Sequence, residues 1–259
     1  MSANLEMIHT RIWQEEPEPD NAFATRAAHC HGYDVYGAML GKAGWADMVY
    51  LLLRGEAPEA RQAALLETLA VALANPGPRD PSIHAAMCGG VAGSTAAASL
   101  VAALSVGAGG YCGAREVLLA MQGWQACGVK LDAWQAHLRA APDDGASIWP
   151  RQEHAPGHDP HGRSCATIVQ QTLACLATHS PGPHLAWLQA HRHQLEAGAG
   201  CPLAMSGVAA CALHELGFSP EQGEMLFLLL RLPGAAAHAL EQGQSGFRKF
   251  PFYTIETQP

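Results

Sequence analysis

Between Met225 and Leu240 the chain carries one formal charge, Arg231, set among Leu228, Leu229, Leu230 and Leu232. A guanidinium buried there without an anion is costly, so it must meet a carboxylate, of the protein or of a ligand, and its fork fits either. A second concentration of reactive side chains is the stretch from His154 through Ala155-Pro156-Gly157-His158-Asp159-Pro160-His161-Gly162-Arg163. Imidazoles there can exchange protons near neutral pH, and the neighbouring arginine can hold an anion. A third is Gly109-Gly110-Tyr111-Cys112-Gly113-Ala114. Tyr111 offers a hydroxyl. Cys112 is either a small buried thiol or, at the start of a helix, a thiol of depressed pKa. The chain has 14 histidines, yet no HExxH and no CxxC pair, so no dedicated metal site is expected. His184, His191 and His193 share one helical run in which 184 and 191 lie on one face and 193 does not.

These residues need elements to position them, and the start and stop signals are mostly helical. Ser219-Pro220-Glu221 supplies an N-cap hydroxyl, a proline at the first helical position and a first-turn carboxylate, opening the helix that carries Arg231. Trp45 to Arg54 reads as a helix stopped by Gly55, with Pro58 beyond it. Glu59 to Ala74 reads as another, ended by Asn75-Pro76-Gly77-Pro78. Helices are further expected around 115–125, 131–140, 164–178, 184–197 and 205–216. Residues 1–28 read as an irregular arm broken by EEPEPD, and His29-Cys30-His31 as a loop entering Gly32-Tyr33-Asp34-Val35. No period-2 run of β-branched residues stands out, so the fold class is all-α.

From Asp80 to Arg115 no charged residue intervenes, a length that imitates a membrane span. GGVAGSTAAASLVAALSVGAGG is built of Ala, Gly and Ser without aromatic belts, which points instead to a buried central helix or an intersubunit helix. With 259 residues the chain can bury a large core in one or two domains. A net charge of -8 and the lack of a Lys/Arg cluster argue against a nucleic-acid partner. Eight cysteines without a CxxC pair, and a start, MSANLEMIHTRIW, without an apolar h-region, point to reduced thiols and a cytoplasmic location.

The order of motifs adds a family. GYDV, WADMVYLLLRGEAP, ANPGP, GGYCGARE, APGHDPHGR, PLAMSG and GFSPEQGEMLFLLLRLPGAAAHALEQ together resemble the citrate synthase superfamily over residues 30–253. The resemblance is closest to the short citryl-CoA lyase branch and the C-terminal domain of ATP-citrate lyase. It implies a helical homodimer with a large domain (1–112 and 213–259), an inserted small domain (113–212), and a cleft holding a CoA thioester and a small oxo or carboxylic acid. The implied chemistry makes or breaks a carbon–carbon bond next to the thioester. That chemistry needs a carboxylate for the α-proton, a donor for the enol oxygen and a histidine for the partner's carbonyl or hydroxyl.

Carried over residue by residue, the resemblance implies His158 as acid/base, Arg163 and Arg231 as carboxylate clamps, and Arg248 as the arginine that reaches a neighbouring subunit's ligand. Three positions depart. Tyr111 stands where many members have the enol-stabilising histidine, with Cys112 beside it. Asn75-Pro76-Gly77 stands where the family has a substrate-binding histidine. Ser206, in Ala204-Met205-Ser206-Gly207, stands where the catalytic carboxylate belongs. A neutral serine cannot remove a thioester α-proton unaided, so the alternatives are a different base (Cys112, Asp159 or His161), a changed substrate, or an inactive homologue. Such a homologue would bind a CoA ester or acid as a sensor or as the silent subunit beside a paralogue. Arg163 and Arg231 pointing into different regions, or both tied up by the protein's own acids, would remove the inherited pocket and the functional reading with it.

Overall fold

The computed structural model describes residues 9–139 and 154–249. The chain divides into two compact units, Met1–Glu67 and Thr68–Pro259. Residues 1–8 of the expected arm and the last residue of the helix expected over 131–140 lie outside the described residues.

The first unit corrects the reading of the arm. Residues 13–34 form a three-stranded antiparallel sheet in the order β1-β2-β3, with β1 Trp13–Glu18, β2 Asn21–Cys30 and β3 Tyr33–Asp34. Trp13 pairs with Cys30, and the register slips at Pro17, which can donate no ladder hydrogen bond and sits on the edge strand. His31 and Gly32, both at positive φ (47° and 87°), make the two-residue turn from β2 to β3. The hairpin escaped sequence reading because β2, NAFATRAAHC, is rich in alanine and shows only Ala28 and Cys30 to the interior. After one π-helical turn (Val35–Met39), α1 (Trp45–Arg54) begins where Asp47 accepts from the Gly44 N–H (2.7 Å) and ends at Gly55, φ 78°. The helix α2 (Ala60–Leu73) buries Leu65, Leu66, Leu69 and Leu73.

The second unit is helical among its described residues. Its elements are α3 (Pro81–Val91), α4 (Ala96–Gly107), α5 (Ala114–Cys127), α6 (Leu131–Arg139), α7 (Thr167–His179), α8 (His184–Ala199), α9 (Met205–Glu215) and α10 (Pro220–Ser245). The uncharged run is thus two helices and not one. Gly93 takes φ 73° between them, and Thr95 caps α4 by accepting from the Ala98 N–H. Within this chain α4 buries one stripe, Ser99, Ala103 and Gly107, while Val101 and Val106 are exposed. Ile83, Ala86, Ala103, Ala235 and Ala239 form the core where α3, α4 and α10 meet. The approach is close enough that a Cβ on Gly90 would lie 2.1 Å from the Ala239 carbonyl. None of the helices is long and apolar enough to cross a membrane, among the described residues.

The longest helix is α10, capped as its sequence announces: Ser219 Oγ accepts from the Gln222 N–H and Gln222 returns the bond to the Ser219 N–H (2.9 Å). Pro233 interrupts its interior, and the Gly234 N–H donates instead to the Ala74 carbonyl (2.7 Å). His238 meets Asn75 at 3.2 Å. The Asn75-Pro76-Gly77 turn is therefore tied directly to the helix that carries Arg231. Buried almost throughout, α9 packs against α5, α8 and α10. The all-α class expected from the sequence holds for most of the chain, with the small three-stranded sheet as the addition.

Candidate active site

The expected site residues mostly converge on the start of α5, the loop 154–163 and the start of α9. Three glycines permit this. Gly113 brings the turn back on itself, so that a Cβ there would sit 2.2 Å from the Gly109 carbonyl. Gly157, at φ 83°, lies against Gly207, whose own Cβ would be 2.3 Å from the Gly157 carbonyl. Backbone hydrogen bonds stitch the loop to the segment before α9: Ala204 N–H to Gly157 (2.9 Å) and Asp159 N–H to Pro202 (2.8 Å). His158 and Ser206 are thereby placed on two strands of chain that touch.

The centre of this cluster is a residue that sequence reading passed over, Glu116. Its side chain is buried, and in the first turn of α5 it reaches back to accept from the Cys112 N–H at Oε2 (2.7 Å). Oε1 accepts from the Gly157 N–H across 41 residues of chain (2.9 Å), and His154 Nε2 stands 3.5 Å away. The Ser206 hydroxyl is buried without a hydrogen-bond partner among the described residues, one residue from the Gly207 that packs on Gly157. Burial outweighs these donors and holds the Glu116 pKa above the usual carboxylate range. One signal pointed here: Glu116 is the first carboxylate after the uncharged run and falls in a helix's first turn, where backbone N–H groups need partners.

His158 is buried and neutral, its pKa lowered first by desolvation. Nδ1 lies 3.3 Å from the Pro156 carbonyl, which fixes the proton on that nitrogen and leaves the buried Nε2 lone pair without a partner among the described residues. Tyr111 is 44% exposed and meets His161 and His154 edge-on, at centroid distances of 5.5 and 6.1 Å. Desolvation and the adjacent Cys112 thiol push its hydroxyl up to about 12, so it carries its proton throughout the neutral range.

Two expectations need correction. Cys112 sits at a helix start, but burial and Glu116 push its thiol up to about 11, so it is not an activated thiolate. Its backbone is at φ 52° with both polar groups held, the N–H by Glu116 and the carbonyl by Arg231 Nη1 (3.0 Å). Arg231, the expected clamp, is buried and already paired with Asp80, the N-cap of α3. The choice left open by the sequence, a carboxylate of the protein or of a ligand, falls on the protein, and Phe227 stacks beneath the guanidinium (4.7 Å). In this arrangement Arg231 holds the Tyr111–Cys112 turn onto α10. Arg163 is exposed in the loop 154–163. Arg248 is exposed over Phe247 (5.9 Å) with no described contact to the cluster. Asp159 Oδ1 is taken by the His161 N–H (2.9 Å), and His161 is exposed. No group of three or more metal-ligating side chains occurs among the described residues.

A buried carboxylate, a buried histidine and a serine come together at the start of α5, the loop 154–163 and the start of α9, on a mainly helical, citrate synthase-like fold. Among solved structures the chain is similar to citryl-CoA lyase from Hydrogenobacter thermophilus, with TM-score 0.73 and 20% identity over 98% of this chain and 96% of that one. It is also similar to ATP citrate lyase from Methanothrix soehngenii in complex with citrate and coenzyme A, with TM-score 0.71 and 18% identity. A third is an aspartate-to-alanine mutant of Methanosaeta concilii ATP citrate lyase in complex with (3S)-citryl-CoA, with TM-score 0.71 and 17% identity. The chain covers 42% of each ATP citrate lyase. No family model matches the sequence, and no curated protein matches it.

Proposed function

We propose that the protein cleaves or forms a carbon–carbon bond beside a CoA thioester, in the manner of a citryl-CoA lyase. The observation that carries this reading is the unpartnered Nε2 of His158, held neutral in a loop tied to α9 and, through Gly157, to Glu116. In cleavage, Nε2 would take the proton of the substrate's tertiary hydroxyl. The carbon–carbon bond then breaks, a keto acid departs, and its electron pair becomes the enolate of the acyl-CoA. The protonated Tyr111 hydroxyl would donate to the thioester oxygen as charge gathers there. Arg163, exposed and without an ion pair among the described residues, would meet an acid's carboxylate, whereas Arg231 would have to exchange Asp80 for it. The likeness to citryl-CoA lyase over nearly the whole of both chains supports the class of ester, and CoA is the carrier this reading requires. Residues 113–212 would handle the ester as the inserted domain, with 1–112 and 213–259 as the larger one, in a homodimer or beside a paralogue; Arg248 would then serve the neighbouring subunit.

A second reading, a homologue that binds a CoA ester without turning it over, is favoured by Ser206 in place of the carboxylate and by the Asp80–Arg231 pair. Citryl-CoA incubated with the protein separates the two. Appearance of acetyl-CoA and oxaloacetate, abolished in His158→Ala, supports the lyase. Saturable binding of citryl-CoA with no product over hours sinks it in favour of the inactive homologue.

A further inference from the structure

We propose that Glu116 and Ser206 act together as the proton relay for the thioester's α-carbon, Glu116 supplying through Ser206 the carboxylate that the start of α9 lacks. The proposal rests on the lyase reading above and names the acid and base that reading leaves unassigned. Three observations support it. Glu116 is a carboxylate on α5 whose Oε1 is anchored to the Gly157 N–H (2.9 Å), next to the proposed base His158. Ser206 occupies the first turn of α9 next to Gly207, which packs on the same Gly157 that Glu116 holds, and its buried hydroxyl has no hydrogen-bond partner among the described residues. The other candidates are disqualified: Cys112 is a protonated thiol, Asp159 is engaged by its own loop, and His161 is exposed.

The chemistry balances without any added reactant. In the direction of condensation, an α C–H bond breaks and leaves its electron pair in the enolate. The proton joins Ser206 Oγ while the proton already on Oγ passes to Glu116, so serine is unchanged and the carboxylate becomes a carboxylic acid. In cleavage the same two transfers run backwards, and the enolate carbon is protonated. Ser206 never has to exist as an alkoxide, which removes the objection to a serine at this position. Glu116 touches no substrate and is a positioning and proton-storing residue; Ser206 is the catalytic one. Among the described residues, the titratable and charged groups facing Glu116 are His154 from the loop, Tyr111 and Cys112 from the turn, and Arg231 from α10.

The test is deuterium exchange at the acetyl methyl of acetyl-CoA in deuterated water, with and without oxaloacetate, using the full chain. Wild type should exchange. Glu116→Gln and Ser206→Ala should each slow exchange by about 10²–10⁴-fold, the usual contribution of a placed general base, with acetyl-CoA still bound. Ser206→Asp introduced into Glu116→Gln should restore exchange, because a carboxylate at 206 needs no partner at 116. The acid limb of the pH profile should move to lower pH in that double variant as the desolvated glutamate ceases to titrate. A Glu116 that merely props the turn would show no such rescue, and its absence in a folded double variant overturns the relay. Full exchange in either single variant overturns it as well. Wild type that neither exchanges nor cleaves citryl-CoA removes the lyase reading itself, a failure distinguishable from that of the relay alone.

Discussion

The pair of Arg231 and Asp80 makes the sharpest energetic prediction. Their side chains are 6% and 10% exposed, and 151 residues separate them in sequence. Asp80→Asn removes the charge while keeping an oxygen that can accept from the Ser82 N–H (2.9 Å) and Oγ, since asparagine caps helices as well as aspartate does. What remains is a buried guanidinium with the Cys112 carbonyl and the Phe227 face for company. Breaking a buried pair by removing one partner costs about 3–5 kcal/mol. For a unit of this size each kcal/mol moves the midpoint by about 2–4 °C, so the melting temperature should fall by about 6–20 °C in calorimetry at neutral pH. The double variant Asp80→Asn with Arg231→Met should melt above the single variant, because no uncompensated charge is left behind. A single variant that melts within about 2 °C of wild type, with the double variant lower still, would refute the reasoning: the guanidinium would not depend on Asp80 and would be free for a ligand.

Two further outcomes follow from the same geometry. Gly207→Ala places a Cβ 2.3 Å from the Gly157 carbonyl and 2.8 Å from Leu203 Cδ1, so backbone must move. It should cost about 1–3 kcal/mol by urea denaturation and disturb the loop bearing His158. His214, stacked on Trp124 and 4.8 Å from the His184 ring, has its pKa lowered to about 4 by burial and then by His184. Below pH 6.5 the unfolded chain binds a proton that the native protein refuses until about pH 4, so stability is full above that window and falls as pH drops through it. Thermal melts of His214→Leu should therefore show a flatter decline between pH 7 and pH 5 than wild type, by a few degrees, and parallel curves would count against the assignment.

Much of the helical scaffold was legible because its signals are local. Ser219-Pro220 opens α10 as its residue types dictate, Gly55 stops α1, and Asn75-Pro76-Gly77-Pro78 ends α2 within a residue or two of expectation. The order of motifs also pointed to the fold, since it depends on spacing along the chain. The sheet over residues 13–34 was not legible, because alanine-rich strands paired across a short turn lack the alternation that marks a half-buried strand. Nor was the division of the uncharged run, whose break turns on one glycine among many.

What tertiary structure alone decided is which charges meet. That Arg231 needed a carboxylate followed from its leucine neighbours, but the choice of Asp80 required α3 and α10 to lie side by side. That Ser206 lacked a carboxylate followed from the motif, while Glu116 reached the same backbone junction only because Gly157 and Gly207 let a loop and a helix come into contact. Caps and breaks are written within a few residues of where they act; ion pairs and proton paths depend on distances that only packing sets.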